Sequence, residues 1–279
     1  MKILITGKDS KIAQELLRRL KKNKVVAYNK AELDITNIEQ IKEVVIKEKP
    51  SMIINCASLN DLKQAESNPE QAYAVNQYGV KNLVNISLDY DIKLIHFSTN
   101  YIFTGNQTEP YVETDRADPL NIYGKSKLKG ENEILNSPDL TYLLFRTSWI
   151  YAANDDFLIS ELKLNSGQSQ ASYYPTSALA TPTSVSLLIE LVIRSIKKNL
   201  TGIYNVSCSG FASQYDFAKE VAKICEINIK IKAKTTTDLD NILTPRFAVL
   251  DNSKISKDLT INIPEWDEEL KHQLEKYDN

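Results

Sequence analysis

The chain has 279 residues, 42% of them apolar and 25% charged, enough to bury a large core as one unit or as two closely joined domains. Its 34 Lys and Arg nearly balance 36 Asp and Glu, without charge blocks or basic aromatic stripes, so nucleic acid is disfavoured as a partner and a small molecule is expected. No apolar run approaches the ~20 residues that span a bilayer, and the amino terminus runs into a strand pattern without an apolar leader, so a cytoplasmic protein without a membrane partner is expected.

Short β-rich runs alternate with helical patterns: strand at 2–6, helix at 12–20, strand at 25–28, helix at 38–46 and strand at 52–55. This is the βαβ rhythm of a parallel sheet. It continues through a long helix from about 69 to 88, a strand at 92–97 ending in Ser98-Thr99-Asn100, a helix beginning near Tyr123 and a strand at 140–145. The order predicts a doubly wound, Rossmann-like α/β fold with a cofactor crevice at the carboxyl ends of its strands. Beyond about residue 150 the rhythm weakens, with polar loops at 165–172 and 235–240 and helices near 184–198 and 213–225. The expected organisation is a dinucleotide-binding domain over 1–150, to which the 184–198 helix returns, and a smaller α/β substrate-binding portion over 151–279. Cys56, Cys208 and Cys225 are odd in number and far apart, which fits reduced core thiols, and two histidines, His96 and His272, make a metal site improbable.

In the first strand-to-helix turn stands Gly7-Lys8-Asp9-Ser10-Lys11-Ile12-Ala13, where glycines normally let a dinucleotide pyrophosphate approach backbone and helix amides. Only Gly7 is a glycine. Ser10 and Ala13 keep the turn small, whereas an Asp9 carboxylate facing a pyrophosphate would repel it. The candidate contacts here are Gly7, Ser10, Lys11 and Ile12; the alternative is a turn that has lost its ligand. After the second strand, Asn29-Lys30 lacks the acidic residue that bonds a ribose 2′-hydroxyl, and a lysine suits a 2′-phosphate, so NADP(H) is preferred and NAD(H) stays open; otherwise Lys30 is a solvated charge. Asp34, beside Ile35, either contacts adenine or caps the helix beginning near Asn37. Cys56 and Ala57 follow the third strand and join the cofactor set.

Tyr123 and Lys127 are four apart and share a helix face. An ammonium beside a phenol favours the phenolate and lowers the tyrosine pKa, giving a proton donor suited to carbonyl reduction near neutral pH. Thr99, at a strand end, precedes Tyr123 by 24 residues. A second copy of the spacing, Tyr215 and Lys219, has no such partner; its window buries Phe217, Val221 and Ile224 at helical spacing and reads as an ordinary amphipathic helix.

Taken together, several blocks resemble the extended short-chain dehydrogenase/reductases, most closely the dTDP-4-dehydrorhamnose reductase family. They are Met1-Lys-Ile-Leu-Ile-Thr-Gly7, Leu33-Asp-Ile-Thr36, Ala65-Glu-Ser67 leading to Ala72-Tyr-Ala-Val-Asn76, Ser98-Thr-Asn-Tyr-Ile-Phe-Thr-Gly105, Tyr123-Gly-Lys-Ser-Lys-Leu-Lys-Gly-Glu131 and Arg146-Thr-Ser-Trp-Ile-Tyr151. The resemblance spans nearly the whole chain. It implies Thr99 as the hydroxyl that polarises a substrate carbonyl, Tyr123 as acid, and Lys127 as ribose contact and pKa modulator, with Tyr123 and Lys127 also touching the cofactor. It further implies a sugar-nucleotide substrate met by Asn100 and Arg246, with Trp149 and Tyr151 either lining the sugar pocket or packing as core aromatics.

The chain departs from the family pattern at several points. Asn100 replaces an aspartate, Lys63 another, Ser177 and Ala178 a polar Asp-Gln pair, and Thr244 the arginine that normally faces the nucleotide-sugar, with Phe247 and Ala248 in place of polar residues. Arg246, two residues on, substitutes if the loop shifts. The expected function is an NADP(H)-dependent reductase of a keto-deoxy-sugar nucleotide supplying surface polysaccharide. The rivals are a reductase or epimerase with a changed acceptor and a non-catalytic regulatory subunit that keeps the fold. A homodimer stays open.

Overall fold

The computed structural model describes residues 2–20, 24–153, 157–167, 170–235 and 242–277. Of the two expected polar loops, positions 168–169 and 236–240 lie outside the described residues. Contacts divide the chain into two compact units. The first takes Met1–Phe103, Arg116–Arg146 and Ser195–Tyr204; the second takes Thr104–Asp115, Thr147–Arg194 and Asn205–Asn279.

The first unit opens with β1 (Lys2–Thr6), α1 (Lys11–Arg19), β2 (Lys24–Tyr28), α2 (Ile38–Glu48) and β3 (Met52–Asn55). Two short helices follow, α3 (Leu62–Ser67) and α4 (Pro69–Tyr73), then a π-helical turn at Ala74–Tyr78 that leads into α5 (Gly79–Asp89). The long helix expected at 69–88 is therefore α4, the π turn and α5 in succession. β4 (Lys93–Thr99), α6 (Ile122–Leu135) and β5 (Tyr142–Thr147) complete the rhythm. α3 was not expected, because its six residues are too few to show a helical period.

The sheet order is β2-β1-β3-β4-β5, closed by a sixth strand at Gly202–Val206. β1 runs parallel to both β2 and β3, so the chain crosses from one side of β1 to the other, and β3 is parallel to β4. Such a reversal opens a crevice at the strands' carboxyl ends. All four residues of β3 are buried, as expected of a strand covered on both faces. α2 and α5 cover one face with Ile41, Val45, Leu83 and Val84 against Leu4, Ile53 and Leu94.

A buried ion pair ties α6 to β5. Arg146 donates from Nη2 to Glu131 Oε2 at 2.8 Å and from Nε to both carboxylate oxygens at 3.2 Å, with its guanidinium 5.4 Å from the Phe103 ring centroid. Glu131 is wholly inaccessible, so its charge depends on that partner.

The second unit has its own core, in which Tyr151, Phe217, Val221, Leu270 and Leu274 meet. Its strands pair as two small parallel ladders, Ile150–Tyr151 with Thr183–Ser184 and Ser172–Pro175 with Ile231–Lys234. The helix expected at 213–225 runs Gln214–Ile224, started by Ser213 in a reciprocal capping box with Asp216. Within it the Lys219 ammonium lies 5.4 Å from the Tyr215 ring centroid while Phe217, Ala218 and Val221 are buried, as an amphipathic helix requires. No helix among the described residues is long and apolar enough to cross a membrane.

Arg146→Met should destabilise the protein by about 3–5 kcal/mol because it strands the Glu131 carboxylate in the core, and Glu131→Met on top of it should restore most of that loss. Urea unfolding of the two variants checks this.

Candidate functional site

A cavity of about 320 Å³ opens at the carboxyl ends of β1 and β3, all of it within the first unit. Gly7, Asp9 and Ser10 line it from the β1–α1 turn, Lys30, Asp34 and Ile35 from beyond β2, and Cys56 to Asn60 from the end of β3. Gln64, Gln71 and Val75 form the remaining side. Gly7 has φ +65°, and a Cβ there would stand 2.5 Å from the Ala57 amide nitrogen. The first turn thus touches the loop after β3 backbone to backbone, which any side chain at position 7 would prevent. Ser10 caps α1 by accepting from the Ala13 amide at 3.2 Å.

Of the expected cofactor set, Gly7, Ser10, Lys30, Asp34, Ile35, Cys56 and Ala57 line this cavity, while Lys11, Ile12 and Asn29 are not among its lining residues. Asn29 is engaged locally: its amide donates to Glu32 Oε2 at 3.0 Å and its Oδ1 accepts from the Glu32 amide at 3.1 Å. Asp34 Oδ1 accepts from the Thr36 amide and hydroxyl at 2.9 and 2.8 Å, and α2 is capped by Asn37 instead. Asp34 therefore closes a turn and does not cap the helix. Sequence reasoning missed Ser58, Leu59, Asn60, Gln64, Gln71 and Val75. Ser58 was within reach of it, because the carboxyl end of a central strand always faces such a crevice; the glutamines carry no local signal.

The candidate catalytic groups gather where β4 meets α6. Thr99 ends β4; its hydroxyl accepts from the Tyr101 amide at 3.2 Å, donates to Asn100 Oδ1 at 3.3 Å and lies near enough to the Tyr123 phenol to oppose the rise of its pKa. Asn121 caps α6 by accepting from the Gly124 amide at 2.8 Å. Gly124 packs on the carbonyl of Tyr101, where a Cβ would stand 2.2 Å from the oxygen, and this contact lays the first turn of α6 on the end of β4. The Tyr101 and Tyr123 rings meet edge to face at 5.8 Å. One turn on, Lys127 is buried and donates to the Phe97 carbonyl at 2.6 Å and to Ser58 Oγ at 3.4 Å. The trio of Thr99, Tyr123 and Lys127 expected from sequence is thus assembled, and Ser58 links it to the cavity.

The electrostatics differ from the expectation. The Tyr123 pKa is not lowered: burial pushes it up to about 12, with the Thr99 hydrogen bond opposing and Tyr101 adding to the rise. The Lys127 ammonium is turned to the Phe97 carbonyl, and its own pKa is brought down to about 8 by burial, with Glu131 and Cys56 pulling the other way. Tyr123 is therefore a neutral phenol that holds its proton at physiological pH, as a proton donor must before it acts. On the same side, Asn55 Nδ2 lies 3.0 Å from His96 Nδ1, and burial and the Lys127 charge keep His96 neutral, its pKa well below the usual histidine value.

The remaining expected residues are placed as follows. Asn100 is buried beside Thr99. In the second unit, Tyr151 is fully buried with its ring 5.4 Å from Phe217, the position of a core aromatic and not of a ring facing a ligand. Trp149 is partly exposed, adopts φ +32° and lies 4.9 Å from Phe217. Arg246 is exposed, and its carbonyl accepts from the Leu179 amide at 2.7 Å.

The whole chain, residues 1–279, matches the family described as RmlD substrate binding domain. It is 32% identical to the spore coat polysaccharide biosynthesis protein SpsK of Bacillus subtilis (strain 168), covering 99% of this chain and 97% of that protein. It is 30% identical to the dTDP-4-dehydrorhamnose reductase of Escherichia coli (strain K12), covering 98% and 97%. Its fold superposes on the crystal structure of dTDP-4-dehydrorhamnose reductase from Bacillus anthracis str. Ames in complex with NADP with a TM-score of 0.92, at 27% identity and 99% coverage of both chains.

Because folding takes Lys127 from its ordinary pKa of 10.5 to about 8, the unfolded chain holds more protons between those values, and the stability that Lys127 contributes rises with pH across that window. Lys127→Met removes this dependence. The stability of the variant relative to the parent should accordingly fall as pH rises from about 8 to 10.5, as urea unfolding at pH 7, 9 and 10 will report.

Proposed function

The chain belongs to the RmlD substrate binding domain family, and we propose that it is an NADP(H)-dependent reductase of a keto-deoxy-sugar nucleotide that supplies surface polysaccharide. The observation that carries this reading is the placement of the buried Tyr123 phenol beside Thr99, one helical turn from the buried Lys127, whose ammonium reaches Ser58 on the wall of the cavity. The residues present fit a dinucleotide. Gly7 lets the turn lie flat against Ala57, Ser10 starts α1 so that its first amides face outward from the helix end, and Lys30 lines the cavity as a cation for a 2′-phosphate. Asp9 also lines it, and its carboxylate is a cost to pyrophosphate binding that the Lys30 charge offsets in part.

When bound, the cofactor supplies the hydride that reduces the substrate carbonyl. Tyr123 gives its phenolic proton to the carbonyl oxygen as that oxygen gains charge. The Thr99 hydroxyl, placed by the Tyr101 amide, turns its one hydrogen from Asn100 Oδ1 to the same oxygen and so orients it beside the phenol. Lys127, its ammonium held by the Phe97 carbonyl and Ser58, would hold the nicotinamide ribose. The first unit is in this reading the cofactor portion and the second the substrate portion, with Arg246 and Trp149 its candidate contacts.

A second reading, the same chemistry on a changed acceptor, is favoured by one observation. Where the family is polar, Phe247 pairs edge to face with Phe211 at 5.9 Å, and Phe211 remains 51% exposed. That surface suits a less polar group than a sugar hydroxyl.

Tyr123→Phe should lower kcat/KM for NADPH-dependent reduction of dTDP-4-dehydrorhamnose by roughly 10²–10⁴ while leaving the melting temperature unchanged, since only a hydroxyl is lost. Undiminished turnover would sink the assignment, and absence of turnover in both proteins with NADPH still bound would favour the changed acceptor. Lys30→Ala should raise the KM for NADPH more than that for NADH. Equal effects would mean that Lys30 does not meet the 2′-phosphate.

A further inference from the structure

Asn76 is a buried amide at the centre of the π turn between α4 and α5. Its Oδ1 accepts from Ser58 Oγ and from the Leu59 amide, both at 2.9 Å. Its Nδ2 donates to the Leu59 carbonyl at 2.9 Å and to Ser126 Oγ at 3.0 Å, and Ser126 donates in turn to the Tyr123 carbonyl at 2.8 Å. Both lone pairs and both hydrogens of the amide are used, so its orientation is fixed without ambiguity. The consequence falls on Ser58. A hydroxyl has one hydrogen, and Ser58 gives it to Asn76; the lone pairs that remain face the Lys127 ammonium at 3.4 Å.

We propose that Ser58, held by Asn76, is a positioning residue for Lys127: a chemically fixed acceptor in the cavity wall that holds the ammonium directly behind it and favours its charged form. The proposal rests on the reductase reading above and extends it to a residue which that reading leaves idle. Ser58 lines the cavity and holds one of the three protons of the ammonium, while the Phe97 carbonyl takes another. The third is left for a ligand hydroxyl. Ser58 is not a proton relay, because the amide oxygen behind it has no proton to pass on and no titratable group lies beyond it. The backbone makes the arrangement tight. A Cβ on Gly130 would stand 2.1 Å from the Asn76 carbonyl oxygen, so α6, with Lys127 on it, rests directly on the π turn that aims Asn76 at Ser58.

Removing an acceptor from a buried ammonium favours the neutral amine, so Ser58→Ala should titrate Lys127 at lower pH and weaken NADPH binding at pH 7.5 by about three- to tenfold, with Ser58→Thr restoring both. Two measurements separate this from the reductase reading. The first is the pH titration of the lysine side-chain carbon signals by NMR in the cofactor-free protein, with Lys127→Met identifying the signal of Lys127. The second is NADPH binding followed by nicotinamide fluorescence from pH 6.5 to 9.5. A Lys127 titration shifted down in Ser58→Ala and recovered in Ser58→Thr supports the proposal, whether or not NADPH binds. An unshifted titration overturns it, even if the alanine variant binds NADPH more weakly, because a loss of packing alone would do that. A shifted titration in a protein that binds no NADPH would leave Ser58 as the holder of Lys127 and would count against the reductase reading alone. Thermal melts of both variants verify that the fold is intact.

Discussion

Two places where a helix has no room for a side chain determine this site. Gly124 rests on the Tyr101 carbonyl and Gly130 on the Asn76 carbonyl, with Cβ positions that would fall 2.2 and 2.1 Å from those oxygens. One contact ties the start of α6 to the end of β4, and the other ties its middle to the π turn. Ser126 and Lys127 lie between them and Tyr123 immediately before the first, so their positions follow from where the helix axis is pinned. A helix held off by even one methyl group at either point would move the phenol from Thr99 and the ammonium from Ser58 by more than a hydrogen bond tolerates. The chemistry is thus placed by backbone contact, and the side chains around it refine what the contact has already set.

The charges in this region are arranged around a deficit of water. Burial raises the pKa of Tyr123 and lowers that of Lys127, so it favours the neutral form of both groups. What keeps the ammonium is a set of fixed oxygens, the Phe97 carbonyl and Ser58, with the Glu131 carboxylate further along the helix. Glu131 is itself committed to Arg146. A single run of α6 therefore carries a buried phenol, a cation and the carboxylate that both steadies that cation and holds the helix to the sheet.

Much of this was legible in the sequence. Alternating apolar runs gave the parallel sheet because strands such as Met52–Asn55 are buried on both faces and tolerate little else. The Tyr123 and Lys127 pair stood out because spacing of four survives any detail of packing. The direction of the Tyr123 pKa did not follow, since residue spacing carries no information on burial or on which acceptor an ammonium will choose. Asn29 read as a cofactor contact, and nothing in the sequence showed that its side-chain oxygen closes a turn with Glu32, a choice made by residues three apart whose competing bonds look equal on paper. Tyr151 read equally as pocket or core, and only the three-dimensional neighbourhood of Phe217 settles it in the core. The π turn left no trace in the pattern, because a single wider turn shifts the apolar period by less than its natural scatter.

The order of the strands also says how the sheet can be built. After β2 has paired on one side of β1, each later strand, β3, β4, β5 and then Gly202–Val206, joins the outer edge left by the one before it. No strand has to be inserted between two that are already joined. A chain emerging from the ribosome can therefore extend this sheet in the order in which it is made. The same order keeps a bare parallel edge on display through most of synthesis, until the strand that covers β5 arrives some fifty-five residues after β5 ends. Residues 148–201 must be made while that edge waits, which makes the interval between β5 and the closing strand the stage of biogenesis most open to mispairing with another chain.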